Sequence, residues 1–171
     1  MHQTTERTWM RVAMCAIVLA VIVLMQDTPR TAFAAPPDGH DVSLADAQRV
    51  IAAAIKKADA LGLKMNVAVV DAGANLKAFV RMDGAFLGSA DIAMKKAKTA
   101  RMFDAPTGAL GALTQPGAPL FGLEESNDGL ITFAGGLPLK NAAGQVIGAV
   151  GVSGSSVEND LAVAEAAAAA F

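Results

Sequence analysis

The sequence predicts an α+β fold, one antiparallel five-stranded sheet with helices packed on it. Three observations carry that reading. Apolar residues recur at steps of three and four over residues 44–61, two apolar runs flank the turn Ala72-Gly73-Ala74-Asn75, and three short strand-like runs separated by Gly- and Asn-rich turns fill residues 130–153. Strands are grouped instead of alternating with helices, which argues against a parallel sheet built from βαβ units.

Residues 1–34 read as a signal peptide. Arg7 and Arg11 form a positive lead, residues 12–25 are apolar, and Ala32-Phe33-Ala34 supplies the small-x-small cleavage pattern. The apolar run is shorter than the roughly 20 residues that span a bilayer. Export to the periplasm or beyond is the expected destination, with no membrane attachment after cleavage. Removal of this segment takes away Cys15, His2 and Trp9 and leaves about 137 residues, enough for one domain with its own core. No disulfide can then form, so the core alone must hold the fold. The remaining formal charge is about −3, which points away from nucleic acid and anionic membranes as partners.

Residues 35–42, rich in Pro and Gly, read as a flexible lead, and residues 43–171 as the folded domain. Leu44, Ala47, Val50, Ile51, Ala54, Ala58 and Leu61 lie on one helix face, with Ser43 as N-cap and Gly62 as stop. The nearly continuous apolar run over residues 65–71 predicts a central strand, and the alternation over residues 76–82 predicts its two-faced antiparallel neighbour. Gly73 and Asn75 are the turn residues expected to take positive φ. A second helix is expected over residues 90–103, capped by Ser89 and stopped before Pro106, with an Asp91–Lys95 pair at i, i+4.

Residues 105–129 are rich in Gly and Pro and weakly periodic, a long loop of the kind that is functional or disordered. Three strands follow, over residues 130–133, 137–140 and 145–153. Ser155 and Glu158 match a capping box for a final Ala-rich helix. If the two most apolar strands are neighbours, the sheet order is 2-1-5-4-3, as in PAS-like and profilin-like domains.

The residue inventory excludes several chemistries. After cleavage there is no Cys, no Tyr, and only His40, so Ser-His-Asp, Cys-His and His-rich zinc sites are ruled out. The glycines in Gly-Ala-Val-Gly-Val-Ser-Gly (residues 148–154) fall inside a strand without the spacing of a nucleotide loop. Nothing marks an enzyme. The second helix is the informative segment, because Lys95, Lys96, Lys98, Thr99 and Arg101 share it with apolar positions. It is either a solvated basic face or the wall of a cleft for an amphipathic acidic ligand, with apolar contact from Phe79, Met94 or Phe103 and carboxylates on Lys95, Lys96, Lys98 or Arg101.

The hairpin with Arg81-Met82-Asp83-Gly84, the helix with Lys95-Lys96-Ala97-Lys98-Thr99-Ala100-Arg101, then Gln115-Pro116-Gly117, Ala134-Gly135-Gly136 and the segment 144–167 resemble the GlcG/HbpS-like haem-binding family, which also forms the C-terminal domain of PduO-type proteins. The resemblance covers nearly all of the chain from Ser43 onward. It implies an oligomerising α+β domain that in exported members binds haem and is linked to haem degradation or redox sensing. It also makes Thr99 the first choice for a haem-proximal residue, and leaves Asp71, Arg81, Asp83, Gly148, Gly151 and Asp160 in structural roles. The metal ligand stays open, since haem iron is held by His, Cys, Met or Tyr and only His40, Met65, Met82, Met94 and Met102 remain after cleavage. A haem scavenger or sensor is therefore the leading expectation. An accessory protein or enzyme for small hydroxy or keto acids and a ligand-free structural oligomer are the alternatives.

Overall fold

A computed structural model of the protein describes residues 40–171; the segment read as a signal peptide and most of the lead lie outside the described residues. The end of the lead is anchored. Asp41 accepts the N–H groups of Val42 and Ala72 at 2.8 and 2.9 Å and pairs with Lys77 at 3.2 Å, and Val42 is buried.

Helix α1 (Leu44–Ala60) starts at Ser43, whose hydroxyl accepts the Asp46 N–H, and ends where Gly62 takes φ +68°. Ala47, Val50, Ala54 and Ala58 form its buried face, as the periodicity requires. Strands β1 (Asn66–Val70) and β2 (Leu76–Arg81) form the expected antiparallel hairpin. The residue with positive φ in its turn is Ala74, at +62°, and not Gly73 or Asn75. The Asp71 carboxylate selects this geometry by accepting the N–H groups of both Gly73 and Asn75 at 2.9 Å.

Helix α2 (Gly88–Met102) begins two residues earlier than the sequence indicated and has no side-chain cap, so Ser89 is not its N-cap. The long loop carries a short helix α3 (Thr107–Gly111) and a 3-10 turn (Leu123–Glu125). Strands β3 (Gly136–Lys140) and β4 (Val146–Ser153) follow, then α4 (Val157–Ala168). The α4 cap is Ser156, whose hydroxyl accepts the Asn159 N–H, one residue beyond the expected Ser155.

The sheet has four strands in the order β2-β1-β4-β3, all pairs antiparallel. This is the expected order with its third strand missing. Residues 130–133 form no strand because side chains take their backbone groups: the Ile131 N–H goes to the Thr99 hydroxyl at 3.1 Å, and the Phe133 carbonyl accepts from the Thr107 hydroxyl at 2.8 Å. With these groups occupied, no strand ladder can form there.

The two faces of the sheet are covered differently. Val67, Val69, Val150 and Val152 point to α1 and α4 and build the larger core with Met65 and Leu139. Ala68, Val70 and Ala149 point to α2, where they meet Ala93, Ala97 and Ala100. The α2 layer is thin because Gly151 lets the helix lie on the strand: a Cβ there would stand 2.1 Å from the Ala93 carbonyl oxygen.

Candidate functional site

The strand β1, the 71–75 turn and the 127–129 loop stand on one side of α2 and leave an open cleft of about 290 Å³ between them. Its apolar surface is Val70, Ala74, Leu76 and Met94, and its charged groups are Asp91, Lys95, Lys98 and Asp128. Lys95 is tied to Asp91 at 2.8 Å, one helical turn away. Lys98 has no ion pair among the described residues, so its charge is available to a ligand. The far rim is a strained turn, with Asn127, Asp128 and Gly129 at φ +54°, +62° and +94°. Two consecutive non-glycine residues in the left-handed region cost on the order of 1–3 kcal/mol each, so the surrounding contacts must hold this rim in place. The Ser126 carbonyl, accepting from the Gly129 N–H at 2.9 Å, is one of them.

Of the seven residues singled out on or at the end of the helix, Met94, Lys95 and Lys98 line this cleft. Lys96 does not. Its side chain is fully buried, and its ammonium donates to Asp160 at 2.7 Å and to the Val152 carbonyl at 3.0 Å, with the Phe133 ring centroid 4.7 Å away. Two of the three N–H bonds of the ammonium thus have oxygen acceptors, and the Phe133 ring adds a cation–π contact. Burial pushes the Lys96 pKa below the ordinary lysine value, opposed by the hydrogen bond and charge of Asp160. The second Asp160 oxygen accepts the N–H groups of Gly154 and Ser155, both at 3.0 Å, so one carboxylate joins α2, the end of β4 and the start of α4. The lysine expected to meet a ligand carboxylate is instead an internal strut.

Thr99 is also fully buried, its hydroxyl holding the Ile131 N–H beneath the loop. Arg101 pairs with Asp104 just beyond the helix, and Phe103 caps its C-terminus, half-exposed. Neither lines the cleft. The residues that the sequence did not reveal are Val70, Leu76, Asn127, Asp128 and Gly129, which reach the site only through tertiary packing. The single local signal for the rim was the Asn-Asp-Gly triplet inside a loop of the kind that is functional or disordered.

The cleft suits an amphipathic acidic ligand, with apolar surface low on the wall and cations along α2. Its volume lies just below the roughly 300–1,000 Å³ of small-molecule sites, too small to enclose a large planar ligand whole. Among the described residues no group of three His, Cys, Asp or Glu side chains could hold a metal ion by itself. No helix among them is long and apolar enough to cross a membrane.

Comparison with known proteins adds the following. Residues 42–169 match the family described as haem-degrading protein HbpS-like. The chain is 38% identical over 131 residues to the corrinoid adenosyltransferase PduO of Citrobacter freundii, a match covering 76% of this chain but 39% of that protein. A crystal structure of a PduOC–haem complex superposes with a TM-score of 0.73 at 39% identity, over 76% of this chain and 94% of that one. The crystal structure of HbpS gives 0.69 at 32% identity, over 83% and 96% of the two chains.

Proposed function

The chain belongs to the HbpS-like family, and from that premise we propose that it binds haem in the cleft beside α2, as a scavenger or sensor and not as an enzyme holding haem tightly. The observation that carries the reading is the cleft itself, where Val70, Leu76 and Met94 offer apolar contact to a macrocycle and Lys98, with Lys95, offers charge to its propionates. Burying apolar surface contributes roughly 25 cal/mol per Å² and dominates affinity. An exposed ion pair to a propionate adds about 0.2–1 kcal/mol and sets orientation.

Two substitutions test this without threatening the core. Leu76 is 53% exposed on an outer strand, and Lys98 makes no ion pair among the described residues. Hemin titration of Leu76→Asp should show binding weakened about tenfold, and of Lys98→Glu several-fold, with circular dichroism unchanged. Parent-like binding by both variants would move the site away from this cleft. The PduO relative motivates a second ligand arm, because its name concerns a corrinoid, a tetrapyrrole of different shape. Cobalamin should fail to displace hemin; displacement at equal concentration would favour a corrinoid role.

Export and self-association belong to the same proposal. The signal pattern over residues 1–34 supports export, and N-terminal sequencing of protein recovered outside the cytoplasm should begin at Ala35. Phe86 and Leu87 are 70% and 75% exposed side by side ahead of α2, surface that a homo-oligomer would cover. Light scattering at micromolar concentration should return a mass above that of one chain.

A further inference from the structure

The cleft beside α2 is lined by two charged side chains of opposite sign that no group among the described residues neutralises. Asp91 and Lys95 satisfy one another at 2.8 Å, and the Lys95 ammonium lies against the rim, where a Cβ on Gly129 would stand 3.3 Å from it. Lys98, half-buried on the helix, and Asp128, exposed on the far rim, make no ion pair or side-chain hydrogen bond among the described residues, with each other or with any other group. The backbone that carries Asp128 is strained, since Asn127, Asp128 and Gly129 all take positive φ. Strain of this kind clusters at ligand clamps and active sites, and here it sets a carboxylate at the edge of the cleft. Asp128 has no use in holding haem, whose propionates are anionic and are repelled by a carboxylate.

We propose that the cleft also binds a free α-amino acid with an apolar side chain, its carboxylate on Lys98, its ammonium on Asp128 and its side chain against Val70, Leu76 and Met94. One small zwitterion gives both unpaired groups a charge-assisted hydrogen bond at once, which a carboxylate or an amine alone cannot do. The size agrees, because a cleft of about 290 Å³ has no room for a large planar ligand whole but takes a small one. Both ionic contacts are partly open to solvent, so each is worth at most about fivefold in affinity, and binding is weak. This activity goes beyond haem binding and does not rest on it. Lys98 serves one anion at a time, so the two ligands exclude one another.

The test is a two-dimensional nitrogen–proton NMR titration of the haem-free protein with three probes: L-leucine, isocaproate (leucine without its ammonium) and isoamylamine (leucine without its carboxylate). L-leucine should shift the amide signals of Leu76, Lys98 and Gly129, and the parent should bind each of the other two probes about threefold to fivefold more weakly. Asp128→Asn keeps a residue that tolerates the left-handed turn and should bind leucine and isocaproate alike. Lys98→Gln should bind leucine and isoamylamine alike. No shift with leucine at tens of millimolar, shifts confined to residues outside the cleft, or isocaproate bound by the parent as tightly as leucine overturns the proposal. Leucine binding by a protein that does not bind hemin leaves it standing, and hemin binding without leucine binding overturns it alone.

Discussion

Replacing Asp160 by alanine should strand the Lys96 ammonium in the interior, and the consequences can be worked from the contacts. In the parent, Lys96 is fully buried and relies on Asp160 at 2.7 Å for its only counter-charge among the described residues. Without the carboxylate the side chain must stay charged and unpaired, at about 3–5 kcal/mol, or lose its proton. The gap between pH 7 and the ordinary lysine value of 10.5 sets that second route at about 5 kcal/mol. Loss of the hydrogen bonds from Gly154 and Ser155 adds about 1 kcal/mol each. The sum approaches the whole stability of a typical domain, about 5–15 kcal/mol, so Asp160→Ala should be marginally folded at best.

Lys96→Met should be milder, at about 1–3 kcal/mol, because Asp160 keeps its two backbone donors when the cation goes. The double variant should then be more stable than Asp160→Ala alone, a coupling expected only when the second change removes an orphaned charge. Urea denaturation followed by circular dichroism supplies the three free energies. Equal small costs for both single variants, or a double variant as unstable as their sum, would refute the buried-strut reasoning. Hemin titration of Lys96→Met gives an independent check, since a strut that touches no ligand leaves affinity within about twofold, whereas Lys98→Glu does not.

Three further outcomes follow from the same geometry. Ala74→Gly should stabilise the protein by about 0.5–1 kcal/mol, since glycine relieves the left-handed strain at φ +62° for a smaller entropic loss; an unchanged or lower thermal midpoint would show that the turn is unstrained. Gly151→Ala should cost at least about 1–3 kcal/mol, because the new Cβ would lie 2.1 Å from the Ala93 oxygen and 2.4 Å from the Ala97 nitrogen; a thermal midpoint within a degree of the parent would contradict the packing of α2 on β4. For Asp41, burial acts to raise the pKa but is outweighed by the Ala72 hydrogen bond and by Lys77, so the carboxyl lies below its ordinary 3.8. Its contribution to stability is therefore present above pH 3.8 and lost as pH falls through the folded value; the stability advantage over Asp41→Asn, measured in urea from pH 7 to pH 3, should shrink only at the acid end.

The sequence by itself determined the elements whose local pattern and tertiary surroundings agree. The α1 periodicity, the apolar β1 run and the Gly and Asn turns name a helix, a central strand and two hairpins, and the structure has all of them. The strand order was legible too, because the two most apolar strands must be buried on both faces and so lie side by side. Family membership was carried by ordered motifs over more than a hundred residues. What only the tertiary structure decided were the points where one long-range contact outweighs a local preference. The apolar run at residues 130–133 reads as a strand, yet Thr99 and Thr107 take its backbone groups from two different helices. Lys95, Lys96 and Lys98 are chemically alike and adjacent, so nothing local separates them; the rotation of α2 on the sheet sends Lys96 inward to Asp160, 64 residues away, and leaves Lys95 and Lys98 at the cleft. The second wall of that cleft, from Val70 to Leu76 and at 127–129, belongs to segments that meet α2 only when the chain packs. A side chain's partner across the fold is set by the geometry of packing, and helical periodicity alone does not specify which face of a basic helix will be buried.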